Sequence, residues 1–215
     1  MSYLMKTRQE IKEQAKTQLT LQRGICIGVY LITTALAAVL ASATMGFGAL
    51  VLSPALTVAT CGFFAAAYQG SFATLSQWFN SMFENFLRKL GGVLWMVLWI
   101  FLWTLLLYVP GIIKAYAYSM APYILADCPN VTAKDALRLS IRMTRGYKMD
   151  IFVTHLSFLG WMLLSALTCG ILQILHVGPY MSITMGGVYQ ELKKNAIENG
   201  VIAAEEFEGG PVSYN

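Results

Sequence analysis

The chain has 215 residues, of which 57% are hydrophobic and only 12% are charged. Soluble domains carry about a quarter charged residues, so this composition excludes an ordinary water-soluble domain and predicts an integral membrane protein. The formal net charge is +4, and the positions of the basic residues are more informative than their sum.

Six apolar segments follow one another and predict an all-α, polytopic membrane helix bundle. A bilayer core of about 30 Å needs roughly 20 apolar residues per helix. We expect six transmembrane helices in three hairpins, which occupy residues 24–68, 91–126 and 151–190. The second leg is short in the last two hairpins, at 112–126 and 179–190. These short legs are expected to be tilted, re-entrant or shielded by neighbouring helices.

Each hairpin is preceded by a segment with the periodicity of an amphipathic surface helix. The three segments are residues 1–23, 71–90 and 131–148. Thr132 with Asp135 predicts a capped start for the third helix. A glycine at the end of each segment is expected to stop the helix in the left-handed conformation. These glycines are Gly24, Gly91 and Gly146. The pattern predicts a weak threefold repeat, or reflects topology alone.

The basic residues orient the predicted bundle. Lys114 is the only one of the 15 Lys and Arg residues that falls inside a hairpin. Basic residues retained in the cytoplasm orient helices during insertion, so we expect a multi-pass protein of the cell membrane with both termini cytoplasmic. Residues 1–192 then form a single membrane domain.

Residues 193–215 contain four glutamates and the sequence Gly209-Gly210-Pro211. This composition predicts a flexible cytoplasmic tail. Contact between its acids and the basic residues of the third surface helix is the alternative.

Lys114 is the most informative single residue, because an ionisable group inside a span is a functional hypothesis by default. It either binds an anion or a headgroup, with Tyr118 on the same helical face, or extends its side chain to the headgroup region. Trp95, Trp99 and Trp103 recur every four residues. They form either an aromatic wall for a ligand or a packing and anchoring stripe.

Two further patterns predict surfaces for contact. Gly62, Ala66 and Gly70 form a small-xxx-small run that permits close helix packing, within one chain or in a homo-oligomer. The third surface helix carries a basic stripe, for which we expect contact with anionic lipid, because its apolar face would otherwise meet water. The stripe consists of Lys134, Arg138, Arg142 and Arg145. Docking of a soluble partner is the alternative.

Groups typical of catalysis or metal binding do not stand together in the sequence. It has no nucleophile elbow, no paired carboxylates within a span and no C-x-x-C or H-E-x-x-H spacing. We therefore expect no enzymatic activity, no bound metal and no cofactor.

The most distinctive stretch is residues 102–148, which contains the sequence YVPGIIKAYAYSMAPYILAD at residues 108–127. Residues 110–127 resemble the signature of the domain-of-unknown-function 975 family of small bacterial integral membrane proteins. The family's following A-L-x-x-S…G pattern is similar to Ala136-Leu137, Ser140 and Gly146. Residues 157–171 are similar to a second family segment, so the resemblance covers residues 95–192. It implies a polytopic membrane protein and no particular reaction.

The leading interpretation is a non-enzymatic membrane protein that binds lipid or a small amphiphile, or that supports a transport or export system. The alternative is a small-molecule transporter or channel with a site at the Pro110-Gly111 break near Lys114, since broken helices often mark substrate sites. An embedded enzyme is third. The expected partners are membrane lipids, anionic headgroups on the cytoplasmic side, a second copy of the chain or a transporter subunit. Nucleic acid is not expected, because no soluble platform would position it.

Overall fold

A computed structural model describes residues 6–43, 47–71, 74–106, 108–168, 170–210 and 212. Within these ranges the regular secondary structure is helical and no strand occurs, which confirms the all-α class. The helices of the first half are α1 (Arg8–Leu21), α2 (Arg23–Ala43), α3 (Phe47–Tyr68), α4 (Leu75–Phe83) and α5 (Phe86–Leu106). Those of the second half are α6 (Tyr108–Tyr118), α7 (Ala121–Asp127), α8 (Ala133–Met143), α9 (Lys148–Leu156), α10 (Leu159–Leu167), α11 (Gly178–Glu198) and α12 (Ala204–Phe207).

Four segments of the described chain are long and apolar enough to cross a membrane. They are Arg23–Ser42, Val51–Tyr68, Phe86–Leu105 and Lys148–Leu167. The first three lie in α2, α3 and α5, and the fourth runs through α9 and α10. These apolar helices are what a membrane protein requires.

Helix α3 is the centre of the bundle. In its apolar segment 56% of the positions are buried, against 11–22% in the other three segments. It packs against α2, α4, α5, α7 and α11. Small residues at Ala55, Ala59, Ala65 and Ala67 are buried there, because they let neighbouring backbones approach closely. Large apolar side chains are instead exposed on α2, α5 and α10.

One of the two shorter apolar segments is interrupted, whereas residues 179–190 lie within the continuous helix α11. The predicted helix 112–126 is two helices, α6 and α7, with a break at residues 119–120. Pro122 at the start of α7 has no N–H to donate to the preceding turn, so a continuous helix is disfavoured. Residues 157–158 likewise separate α9 from α10, and a π-helical turn at Gln173–Val177 precedes α11.

The amphipathic segments form the helices α1, α4 and α8. Helix α8 starts directly after Thr132, whose hydroxyl accepts a hydrogen bond from the Asp135 backbone N–H at 3.2 Å, as predicted. The glycine stops were right only at Gly146, where φ is +89°. Gly24 and Gly91 lie inside α2 and α5, because the apolar spans begin before them. Residues 1–5 and 72–73 of the predicted surface segments lie outside the described residues.

The buried core lies where α1, α3, α7, α8 and the C-terminal half of α11 meet, which we call the basic end of the bundle. Its large buried side chains include Leu19, Phe64, Ile124, Leu139, Tyr189 and Leu192.

The segment predicted as a flexible tail differs from that expectation. Helix α11 continues to Glu198, and α12 follows at Ala204–Phe207. Ile202 and Phe207 are buried in the core cluster. These two apolar residues pack the acidic segment onto the bundle, which its overall composition did not reveal. Residues 211 and 213–215 of the predicted tail lie outside the described residues.

Candidate functional site

Lys114 lies half-buried between two aromatic rings. Its Nζ is 5.1 Å from the ring centroid of Trp103 and 6.0 Å from that of Tyr118. A Cβ on Gly111 would lie 2.3 Å from the Thr104 Oγ1, so this glycine permits the close approach of α6 to α5. No carboxylate of the described residues lies within 4 Å of the ammonium. The aromatic faces stabilise the cation and leave it available to an anion.

The tryptophan stripe divides into three environments. Trp103 contacts Lys114. Trp99 packs against the buried cluster of Tyr118, Ala121 and Leu137. Trp95 touches Trp99 edge-on, with ring centroids 5.9 Å apart, and is itself exposed. The three indoles therefore do not line one pocket, although two of them lie near the Lys114 site.

The basic stripe on α8 is only partly free to meet lipid. Arg138 pairs with Asp135 at 3.3 Å, and Arg142 pairs with Glu206 at 2.5 Å. Lys134 and Arg145 are exposed, with no carboxylate of the described chain within 4 Å.

The apolar face of α8 is covered by protein. Ala136, Leu137 and Leu139 are buried, and α8 packs on α5, α6 and α7. Ser140 also donates a hydrogen bond to the Ala117 carbonyl at 2.8 Å. The buried residues of this face therefore meet protein, whereas Ala133 and Ile141 remain partly exposed.

One member of the small-residue run, Gly62, packs against another helix of the chain. A Cβ on Gly62 would lie 2.8 Å from the Ala126 Cβ, so this glycine brings α3 against α7. Ala66 lines a small cleft of about 200 Å³ beside it. Gly70 lies beyond the end of α3 with φ +81°, where it allows a turn rather than helix packing.

A polar cluster that the sequence did not reveal lies at the basic end. The Tyr189 hydroxyl donates to the Asp127 Oδ2 at 2.8 Å, and the Lys193 Nζ lies 2.5 Å from the same oxygen. Asp127, Lys193 and Phe207 border a cleft of about 510 Å³. Burial raises the pKa of the adjacent Cys128 thiol, although Lys193 acts in the opposite direction. The only sequence signal was the position of Asp127 at the end of the family signature.

Arg88 organises the same end of the bundle. Its guanidinium donates hydrogen bonds to the carbonyls of Leu125, Cys128 and Val131 at 2.5–2.9 Å. Two of these carbonyls lie in the last turn of α7 or just after it, where helix carbonyls have no partner within the helix. Arg88 thus ties the start of α5 to the end of α7 and the loop that follows it.

Metal chemistry has no obvious site in the part of the chain that the structure describes. No group of three or more His, Cys, Asp or Glu side chains lies there in an arrangement that would hold a metal ion.

No curated protein and no solved structure matches the chain significantly. A family model described as "Protein of unknown function (DUF975)" matches residues 73–196. This range is 124 of 215 residues, more than half of the sequence. The signature noted in the sequence lies inside it. The chain belongs to the DUF975 family.

Proposed function

We propose that the chain is a six-segment protein of the cell membrane with both termini in the cytoplasm. The supporting observation is that the predicted cytoplasmic segments contact one another. Lys6 pairs with Glu191 at 3.0 Å, and Arg142 pairs with Glu206. Arg88 bonds the backbone around Cys128.

Such contacts require these segments to lie on one side of the bilayer. Helix α5 leads away from this side, and the chain has returned to it at Asp127. We infer that residues 108–127 form the returning segment, in two helices, of which α6 already contacts α8 through the Ala117 carbonyl. The same reasoning applies to the path out through α10 and back through α11. These contacts, together with the four long apolar segments, support the proposal of six segments in three hairpins.

We further propose that the protein binds anionic lipid and has no enzymatic activity. Several cations have no carboxylate of the described residues within 4 Å, among them Arg8, Lys12, Lys134 and Arg145. Lys114 adds one on α6, 6.0 Å from the Tyr118 ring centroid. Basic residues at the cytoplasmic surface attract anionic lipid by about 1 kcal/mol each.

The test is the lipid content of the full chain purified in a mild detergent. We expect anionic phospholipid to be enriched relative to the host membrane. The variant Lys134→Gln/Arg145→Gln should lower this enrichment, while Lys194→Gln, whose charge is paired with Glu198, should not. Equal lipid composition in protein and membrane would contradict lipid binding. Turnover of a substrate that disappears when one polar residue is replaced would contradict the non-enzymatic assignment.

The broken helices support a second candidate, a small-molecule transporter or channel. A break at residues 119–120 interrupts the first short returning segment, and the π-helical turn at Gln173–Val177 directly precedes the second. Discontinuous helices often mark substrate sites. Lys114 lies on one of these segments. The break expected at Pro110-Gly111 is not observed, because both residues lie inside α6. Flux into liposomes that falls in Lys114→Met would favour this candidate, and background flux from both proteins would remove it.

A further inference from the structure

A cleft between α1 and α9 has the features of a headgroup site. It encloses about 370 Å³. Its lining residues are Thr7, Arg8, Gln9, Lys12, Val153 and Ser157. A neighbouring cleft of about 250 Å³ shares Thr7 and Arg8 and includes Asp150.

Lys12 lies in this cleft without an anionic partner. Its Nζ donates a hydrogen bond to the Ser157 hydroxyl and lies 4.6 Å from the ring centroid of Phe158. Arg8 is on the same wall, one turn earlier on α1. No carboxylate of the described chain lies within 4 Å of either cation. Burial lowers the pKa of Lys12, and the charge of Arg8 acts in the same direction. A bound anion would relieve both effects.

The cleft adjoins an apolar surface. Helix α10 begins two residues after Ser157, and its Leu159 and Leu163 are exposed. They are four residues apart and therefore share one helical face. An occupant with a negative headgroup in the cleft would have this face available for a hydrocarbon chain. This continuity favours a lipid over a soluble phosphate.

We propose that the α1–α9 cleft binds the phosphate of an anionic phospholipid of the cytoplasmic leaflet, with Lys12 and Arg8 as the ligands. The acyl chain lies along Leu159 and Leu163. This inference rests on the proposed lipid-binding function and assigns it a site. Asp150 lines the neighbouring cleft, and its negative charge disfavours a headgroup that would place further negative charge there.

The test is calorimetric titration of the full chain in detergent with dioctanoyl phosphatidylglycerol. Lys12→Gln should weaken binding about 10- to 100-fold, because a charge-assisted hydrogen bond is lost. Arg8→Gln should weaken it about 10-fold. Lys12→Arg, which keeps the charge, should bind nearly as wild type. Lys16→Gln, an exposed lysine one turn further along α1, is the matched control and should change the affinity less than twofold.

Two other ligands distinguish the sources of the phosphate. Dioctanoyl phosphatidylcholine and inorganic phosphate should each bind at least 10-fold more weakly than phosphatidylglycerol. Equal affinity for inorganic phosphate would identify the ligand as a soluble anion and overturn the proposal. Unchanged affinity for phosphatidylglycerol in both Lys12→Gln and Arg8→Gln would overturn it as well. Binding that is insensitive to these substitutions would leave the general lipid-binding function standing, whereas no binding by wild type would contradict that function itself.

Discussion

The Arg142–Glu206 ion pair fixes the C-terminal segment to α8, and its loss should release that segment. The Arg142 Nη1 is 2.5 Å from the Glu206 Oε2, and the side chains are only 18% and 6% exposed. Arg142 also donates to the Val201 carbonyl. Removing one partner of a buried pair costs about 3–5 kcal/mol. Because Glu206→Gln keeps an acceptor and Arg142 keeps some contact with water, we expect a loss of about 2 kcal/mol.

A loss of this size raises the undocked fraction about 30-fold, since 1.4 kcal/mol corresponds to a factor of ten. Amide hydrogen exchange measures that fraction directly. The N–H groups of Ile202 and Gly210, which donate to the carbonyls of Ala196 and Glu205, should exchange about 30-fold faster in Glu206→Gln.

The matched control is Glu198→Gln. Its partner is Lys194 at 3.8 Å, and both side chains are about half exposed or more. Exposed pairs contribute about 0–1 kcal/mol, so this variant should alter exchange at Ile202 and Gly210 only a fewfold. Exchange rates in Glu206→Gln that equal those of the control would refute the reasoning.

Three further substitutions test the packing of the basic end, each by unfolding of the purified protein in mixed micelles. Arg88→Lys should lower the unfolding free energy by about 2–4 kcal/mol, because an ammonium group replaces the planar guanidinium that donates hydrogen bonds to three carbonyls. Gly62→Ala should lower it by about 1–3 kcal/mol, because the added methyl meets the Ala126 Cβ at 2.8 Å. Tyr189→Phe should lower it by about 1.5 kcal/mol through loss of the hydrogen bond to Asp127.

Each of these variants has a matched control. Arg145→Lys changes an exposed arginine and should alter the unfolding free energy by less than about 0.5 kcal/mol. Gly160→Ala places a methyl group where nothing lies within 4 Å. Tyr116→Phe removes a hydroxyl for which the described chain offers no hydrogen-bond partner. A test variant as stable as its control would show that the corresponding contact does not form.

The sequence predicted the features that depend on local composition. The apolar runs at 24–44 and 50–68 correspond to α2 and α3 within a few residues, because hydrophobic length alone defines them. The start of α8 after Thr132 was equally local. The break in 112–126 was missed, although Pro122 supplied the signal for it.

Most contacts that assemble the basic end were beyond local patterns, although the Arg142–Glu206 pair realises the alternative stated for the acidic segment. Tyr189 and Asp127 are 62 residues apart, and Arg142 and Glu206 are 64 apart. A basic residue such as Arg88 at the start of a span predicts the orientation of that span. It does not predict which backbone carbonyls the side chain will bind. Residues 193–215 were predicted to be a flexible tail for the same reason, because two apolar residues among glutamates give no periodic pattern.

The central claim is that the basic segments share the cytoplasmic side of six membrane-crossing segments. It is tested most directly by labelling single engineered cysteines, in a background without native cysteines, from either side of the membrane. Thr20→Cys, Lys134→Cys and Glu198→Cys replace exposed residues and should react only from the cytoplasm, whereas Ser42→Cys should react only from outside. Labelling of Lys134→Cys from outside, with Thr20→Cys labelled from inside, would contradict the account.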